Sequence, residues 1–292
     1  MFSEVVVVGQ IARDLVVEAP DASAGRGREL LGGKGANQAL ALSQLGVAVS
    51  LVGVVGQDAT GDALRARARA DRIGTSHVVR RPGTETALVG HVPDATLVTE
   101  TDVLAAAAPI SAAGSVIVQL QQPAPAALLA ARLARTAGTR VVLDGASEDA
   151  ESAAELLALA DVVHVDDREA ELLTGAPVTD AAAAARAAAD LRRRGPSLVV
   201  LEVAGQGTLF AGPAESWFVP AVETEVVDPA GAGDALVATL TAALTRRRPL
   251  ETAACLAVAA AAATTEHAGA RPRLSGAVLD RLRPRRLETV HA

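Results

Sequence analysis

Tyrosine is absent from this 292-residue chain, and asparagine, lysine and cysteine each occur once, as Asn37, Lys34 and Cys255. Four aromatic side chains remain: Phe2, Phe210, Trp217 and Phe218. One cysteine excludes an intramolecular disulfide and a cysteine-built zinc site. The shortage of aromatics argues against a stacking platform for single-stranded nucleic acid. A net charge of −7 with no basic stripe also argues against a nucleic-acid partner. The longest nearly uncharged apolar run, Ala253–Ala263, falls well short of the roughly 20 residues a spanning helix needs, so no membrane partner is expected. Met1–Glu4 runs straight into Val5–Val8 without a basic segment or a small-residue cleavage site. No secretory leader is therefore expected, and a cytoplasmic location is the default.

What the chain does have is apolar mass and rhythm. Half of it is hydrophobic, enough for a large buried core. Short β-branched runs at Val5–Gly9, Val49–Val55, Val116–Leu120, Val141–Asp144, Val162–Val165 and Leu198–Val203 read as buried strands. Between them, helices are predicted over Lys34–Leu45, Gly61–Asp71, Pro125–Ala137, Ala150–Ala158, Glu169–Thr174 and Asp180–Arg194. Such alternation predicts an α/β fold: a mostly parallel sheet with helices on both faces. Thr208–Gly212 and Glu215–Pro220 suggest an antiparallel pair, followed by Ala-rich helices at Gly231–Thr245 and Glu251–Thr264. The arginine runs 192–194 and 246–248 each precede a proline and read as helix C-termini. Segments 15–31 and 84–99 break the rhythm and predict a small β-flap outside the main sheet, within one domain over 1–292.

Two glycine motifs carry the chemistry. In Gly32-Gly33-Lys34-Gly35-Ala36-Asn37, the glycines let the backbone approach a ligand at the start of a helix. It is not a Walker A loop, because Lys34 is not followed by Ser or Thr. The bland reading is a glycine turn that merely starts a helix. Composition tips the balance, since a chain that otherwise uses arginine for its long cations and avoids asparagine keeps one Lys and one Asn here. The second motif is Asp228-Pro229-Ala230-Gly231-Ala232-Gly233-Asp234, with a strand-like Glu225–Val227 leading in. Amides at the following helix start would suit a phosphate, and a carboxylate beside them needs a task such as taking a proton. Its bland reading is an Asp stabilised by the helix dipole. His77, His91, His164, His267 and His291 lack metal-ligand spacing and read as structural or surface residues.

Together the two motifs resemble the ribokinase (PfkB) family of sugar kinases, and the likeness runs over nearly the whole chain. Val5–Asp14 resembles the family's first strand and sugar-binding Asp, Asp166–Gly175 its NxxE segment, and His267–Ala270 its closing Gly-Ala turn. The resemblance implies a three-layer α/β/α fold with a small, shortened β-lid. It also implies ATP-dependent phosphorylation of a sugar hydroxyl, foremost ribose to ribose 5-phosphate. Asp234 would be the base, and Gly231, Ala232 and Gly233 would form the anion hole. Asp14, Gly33, Lys34 and Asn37 would bind the sugar. Asp166, Glu202, Gly205, Gly207 and Gly269 would contact the nucleotide. Glu169 would organise Mg²⁺ through water, and Asp228 would sit at a monovalent-cation (K⁺) loop. Expected partners are the sugar, ATP and a second copy of the chain in a homodimer.

The departures cluster on the nucleotide side. Asp166 and Asp144 stand where the family has Asn, Glu202 where it has a Thr contact, Gln121 where an acidic residue is common, and Pro229 in place of Thr. Two alternatives therefore stay open: another sugar or sugar-phosphate kinase, with Arg13 or Arg28 supplying cations, or a kinase-like sugar-binding protein impaired in catalysis.

Overall fold

The computed structural model describes residues 4–16, 28–284 and 286–290. Part of the first flap segment, residues 17–27, lies outside the described residues, as do Phe2 and His291.

The chain begins with strand β1 (Val5–Val8), then β2 (Ala12–Val16), β3 (Arg28–Gly32) and helix α1 (Lys34–Gln44). Strand β4 (Val49–Gly56), α2 (Ala59–Ala70) and β5 (Gly74–Arg81) follow. The middle of the chain comprises α3 (Glu100–Ala105), α4 (Ala107–Ala112), β6 (Ser115–Gln119), α5 (Ala124–Ala137) and β7 (Arg140–Asp144). After these come α6 (Ala150–Leu159), β8 (Val162–Val165), α7 (Asp167–Thr174), α8 (Ala181–Arg193) and β9 (Leu198–Val203). Hairpin strands β10 (Gly207–Ala211) and β11 (Ser216–Pro220) lead into α9 (Ala232–Thr245), α10 (Leu250–Thr265), α11 (Gly276–Leu282) and β12 (Glu288–Thr289).

Ten strands form one sheet in the order β12-β11-β10-β9-β8-β7-β6-β1-β4-β5, and β2-β3 form a second, small sheet. From β9 to β5 neighbouring strands pair in parallel, and β10, β11 and β12 extend the sheet antiparallel. Alternation along β1 shows why helices cover both faces. Val5 and Val7 enter one core with α1, α2, α9, α10 and α11. Val6 and Val8 enter the other with α3 to α8. With so few aromatics, small side chains fill these layers: in α10, Ala253, Ala254, Ala257, Ala259, Ala260 and Ala263 are fully buried. The three-layer α/β/α prediction therefore holds.

Several local expectations change. Strand β5 was not expected because His77, Arg80 and Arg81 dilute its apolar signal, as suits an edge strand. Helices α3 and α4 were also unexpected; Thr99 and Asp102 form a reciprocal capping box that starts α3. Segment 84–99 is not a strand. It contributes only the single-residue bridges Arg13↔Leu88 and Leu88↔His91 and one 3-10 turn at Asp94–Thr96. Glu225–Val227 is not a strand either. Val226 and Val227 are exposed, and the Val227 and Asp228 amides both donate to the carbonyl that ends α10 at Thr265. The arginine runs fall where expected, at the ends of α8 and α9. No helix among the described residues is long and apolar enough to cross a membrane.

Candidate active site

A cavity of about 450 Å³ opens above the carboxyl ends of the parallel strands. Strand order reverses around β1, and ligands of open α/β sheets collect at such a switch point. Gln10 follows β1, Asp144 ends β7, His164 lies in β8, Asp166 follows it, and Glu202 lies in β9. The first turns of α1 and α9 close the floor from the other side, and Val89, Gly90 and Val92 contribute an apolar rim.

The two glycine motifs meet here for steric reasons. Gly33 caps α1 with φ 89°, and a Cβ on it would lie 2.8 Å from the Ala12 nitrogen and 2.9 Å from the Gln10 carbonyl oxygen. Only glycine lets the chain turn so tightly against the loop after β1. Gly231 caps α9 with φ 78°, and its Cβ would fall 2.1 Å from the Ala270 carbonyl oxygen. No side chain among the described residues caps this helix, so its first-turn amides, through Asp234, border the cavity and can receive an anion.

Asp234 is 5% exposed and accepts a 2.9 Å hydrogen bond from Asn37 Nδ2. Burial and the Asp144 charge push its carboxyl up to about 7, with Asn37, Lys34 and His164 pulling the other way. A carboxylate at that level can accept a proton near neutral pH. The side-chain oxygen of Asn37, Oδ1, is buried without a partner among the described residues, an acceptor left for a ligand hydroxyl. Lys34 projects into the open mouth. Burial alone would lower its pKa, but Asp144, Asp234, Glu169 and Asp166 raise it, so the ammonium stays charged.

Beyond these residues the cavity turns acidic. Asp166 caps α7 in a reciprocal capping box: its Oδ1 accepts from the Glu169 amide at 2.7 Å, and Glu169 Oε2 accepts from the Asp166 amide at 3.0 Å. Burial, followed by the neighbouring Asp166 and Asp144 charges, outweighs that amide and Lys34 and raises the Glu169 carboxyl. His164 stands between Asp144 Oδ1 and Glu202 Oε1, each 2.8 Å away, and Asp144 Oδ2 accepts from Gln38 at 2.7 Å. Burial favours neutral imidazole, yet the two carboxylates prevail and raise His164 to about 10. Burial opposes ionisation of Asp144 too, but His164, Lys34 and Gln38 hold its pKa below the usual range.

Sequence-expected positions thus divide into three groups. Gly33, Lys34, Asn37, Asp166, Glu169, Glu202, Gly231, Ala232, Gly233 and Asp234 all line this cavity. Asp14, Asp228 and Gly269 form an adjoining cluster instead. Asp228 spends one carboxylate oxygen on the Ala230 amide and the other on that of Gly269, both at 2.9 Å. Asp14 accepts from the Ala270 amide, and its carboxyl is raised chiefly by burial. Gly205 and Gly207 lie at the β9–β10 turn and do not line the cavity.

A family model described as pfkB family carbohydrate kinase matches residues 3–275. The chain belongs to that family. A ribokinase from Haemophilus influenzae is 27% identical over 286 residues, covering 91% of this chain and 93% of its own. Mouse ribokinase is 31% identical over 224 residues, 72% of this chain and 69% of its own. Arabidopsis thaliana ribokinase, solved in complex with ribose and ATP, superimposes with a TM-score of 0.77 at 24% identity, covering 92% of this chain and 95% of that one. The chain is accordingly a PfkB carbohydrate kinase with the ribokinase-type fold.

Of the polar side chains that line this kinase's cavity, sequence reading gave no site role to Gln10 or His164. Gln10 was read only as part of the first strand. His164 was read as structural or surface; it is buried and lines the cavity with both ring nitrogens engaged. A usable signal existed, because His164 sits at the carboxyl end of a predicted parallel strand, where ligands gather.

Proposed function

We propose that this PfkB kinase transfers the γ-phosphoryl group of ATP to a hydroxyl of a free sugar, with ribose as the foremost candidate and ribose 5-phosphate as the product. The observation that carries this reading is Asp234, a buried carboxylate raised to about 7 and held by Asn37 within the turn whose amides border the cavity. In this reading the sugar hydroxyl approaches Asp234 and gives up its proton, and Lys34 and the Asn37 carbonyl hold neighbouring hydroxyls. The Gly231–Asp234 amides receive charge that builds on the transferred group. Phosphoryl transfer asks the protein mainly for positioning and electrostatic stabilisation, and this arrangement supplies both.

Free sugars fit better than the alternatives. No arginine lines the cavity among the described residues, and Arg13 pairs with Glu29 at 3.0 Å, which disfavours a phosphorylated sugar. No aromatic among the described residues lines it either, which disfavours a nucleoside. The ribokinase relatives support ribose within that class.

Magnesium would neutralise the donor phosphates when bound. No group of three metal-ligating side chains converges among the described residues, so such an ion would fit as one carried by phosphate and water, with Glu169 the residue that would hold its waters. ATP and Mg²⁺ are part of the same proposal.

A second reading is favoured by Glu202 and Asp166, two carboxylates where a polyphosphate would lie: a sugar-binding protein with feeble transfer. Coupled ADP release over a panel of pentoses and hexoses separates the two. Turnover with ribose supports the proposal, and sugar-induced thermal stabilisation without ADP release overturns it.

A further inference from the structure

We propose that His164, bridging Asp144 and Glu202, is the positioning residue that keeps the donor end of the cavity open to a polyphosphate. This assignment rests on the kinase reading above, but its geometry stands apart from it.

Three residues on adjacent strands form one hydrogen-bonded chain, continued by Gln38 onto α1: Glu202 of β9, His164 of β8 and Asp144 of β7. Both carboxylates only accept when ionised, whereas neutral imidazole has a single N–H to donate. Two contacts of 2.8 Å to carboxylate oxygens are therefore satisfied together by imidazolium. The rise of His164 to about 10 agrees with that count. The chain touches the anion hole, because a methyl on Gly233 would lie 3.0 Å from Glu202 Oε1 and 3.5 Å from His164 Cε1. One buried cation thus separates two carboxylates beside the amides that would receive phosphate, while Asp166, Glu169 and Asp234 add further negative charge and, among the described residues, only Lys34 adds positive. Remove the imidazolium, and Glu202 loses the partner that holds it against β8 and offsets its charge. Glu202 is also what makes His164 necessary: without that carboxylate, the donor end needs less compensation.

The two residues are thereby predicted to depend on each other. The test is calorimetric binding of a non-hydrolysable magnesium–ATP analogue to the whole protein, alongside sugar-dependent ADP release. His164→Gln should weaken analogue binding by about tenfold or more, the scale of one uncompensated charge. Glu202→Gln alone should tighten it by about threefold or more. The double variant should return to within about threefold of the parent. Sugar affinity should stay near the parent value in all three, since Lys34 and Asn37 are untouched. A purely structural His164 would lose sugar and nucleotide binding together, and removing Glu202 would not rescue it. Three results overturn the proposal: unchanged analogue affinity in His164→Gln, no rescue in the double variant, or no analogue binding by the parent. Glu202→Gln keeps the test open if His164→Gln does not fold, and weaker analogue binding in that variant also overturns it. If the expected pattern appears but no sugar is phosphorylated, the kinase reading fails and this one stands.

Discussion

The two ends of the cavity are built on different principles. At the α1 end, a lone lysine and a lone asparagine meet glycine-shaped backbone, and polar valences are left over: the Asn37 oxygen has no partner among the described residues. At the β7–β9 end every strong group is already spent on another, with Asp144, His164 and Glu202 bonded in series and Asp166 and Glu169 capping each other. One end leaves polar valences free; at the other the charged groups are bonded to one another or to backbone amides, and the end stays acidic. The contrast teaches that family departures need not be independent. Glu202 and Asp144 look hostile to phosphate one at a time, but His164 joins them into a unit whose net charge is smaller than its carboxylates suggest.

The sharpest way to break the comparison is at the point where the ends meet. Asp234→Asn should lower kcat by about 10²–10⁴-fold, the usual worth of a general base. Sugar-induced stabilisation, read by thermal shift, should persist.

His164→Gln attacks the β7–β9 end and should cost about 3 kcal/mol of stability at pH 7, measured by denaturant unfolding, because it leaves a buried charge unpaired. The sign follows from the upward shift. The contribution of His164 is fully present below the unfolded imidazole value of 6.5 and is lost as pH rises through about 10. The stability gap between parent and variant should therefore close toward alkaline pH.

For Asp234 the pH slope has the same sign, but it is the ionised form that is penalised. Its carboxyl is raised to about 7, so between 3.8 and 7 the folded state holds a proton that the unfolded state has released, and stability falls as pH rises. Above pH 7, Asp234→Asn should be more stable than the parent by about 2–4 kcal/mol, and the advantage should vanish at pH 4. Parent kcat/KM should drop by about tenfold per unit below pH 7 as the base protonates. A profile flat from pH 5 to 8 would show that Asp234 is not the titrating group.

The smallest effect sharpens the sugar end. Lys34→Arg keeps the charge but replaces a compact ammonium with a planar fork, and should weaken sugar affinity by about tenfold with little change in analogue binding.

Much of this was legible in residue order. Strand and helix alternation is a local signal, and the runs around Val5, Val116 and Val162 marked the parallel sheet because buried strands need β-branched bulk on both faces. The single Lys and Asn flagged the α1 turn, and the Gly231–Asp234 motif flagged the helix start opposite. Edge strand β5 was not legible, since one face meets water and its sequence carries the polar residues of a loop. Strand-like Glu225–Val227 misled for the opposite reason: two valines there are exposed, and no sheet neighbour claims them.

By itself the sequence determined the fold class, the family and the two turns, because periodicity, glycine placement and helix starts are set by neighbours in the chain. Tertiary structure alone decided who meets whom. Asn37 bonds Asp234 from 197 positions away, and His164 falls between Asp144 and Glu202 because β7, β8 and β9 lie side by side. No local pattern encodes such meetings. Strand order and register do, and those are set by the burial of both sheet faces at once.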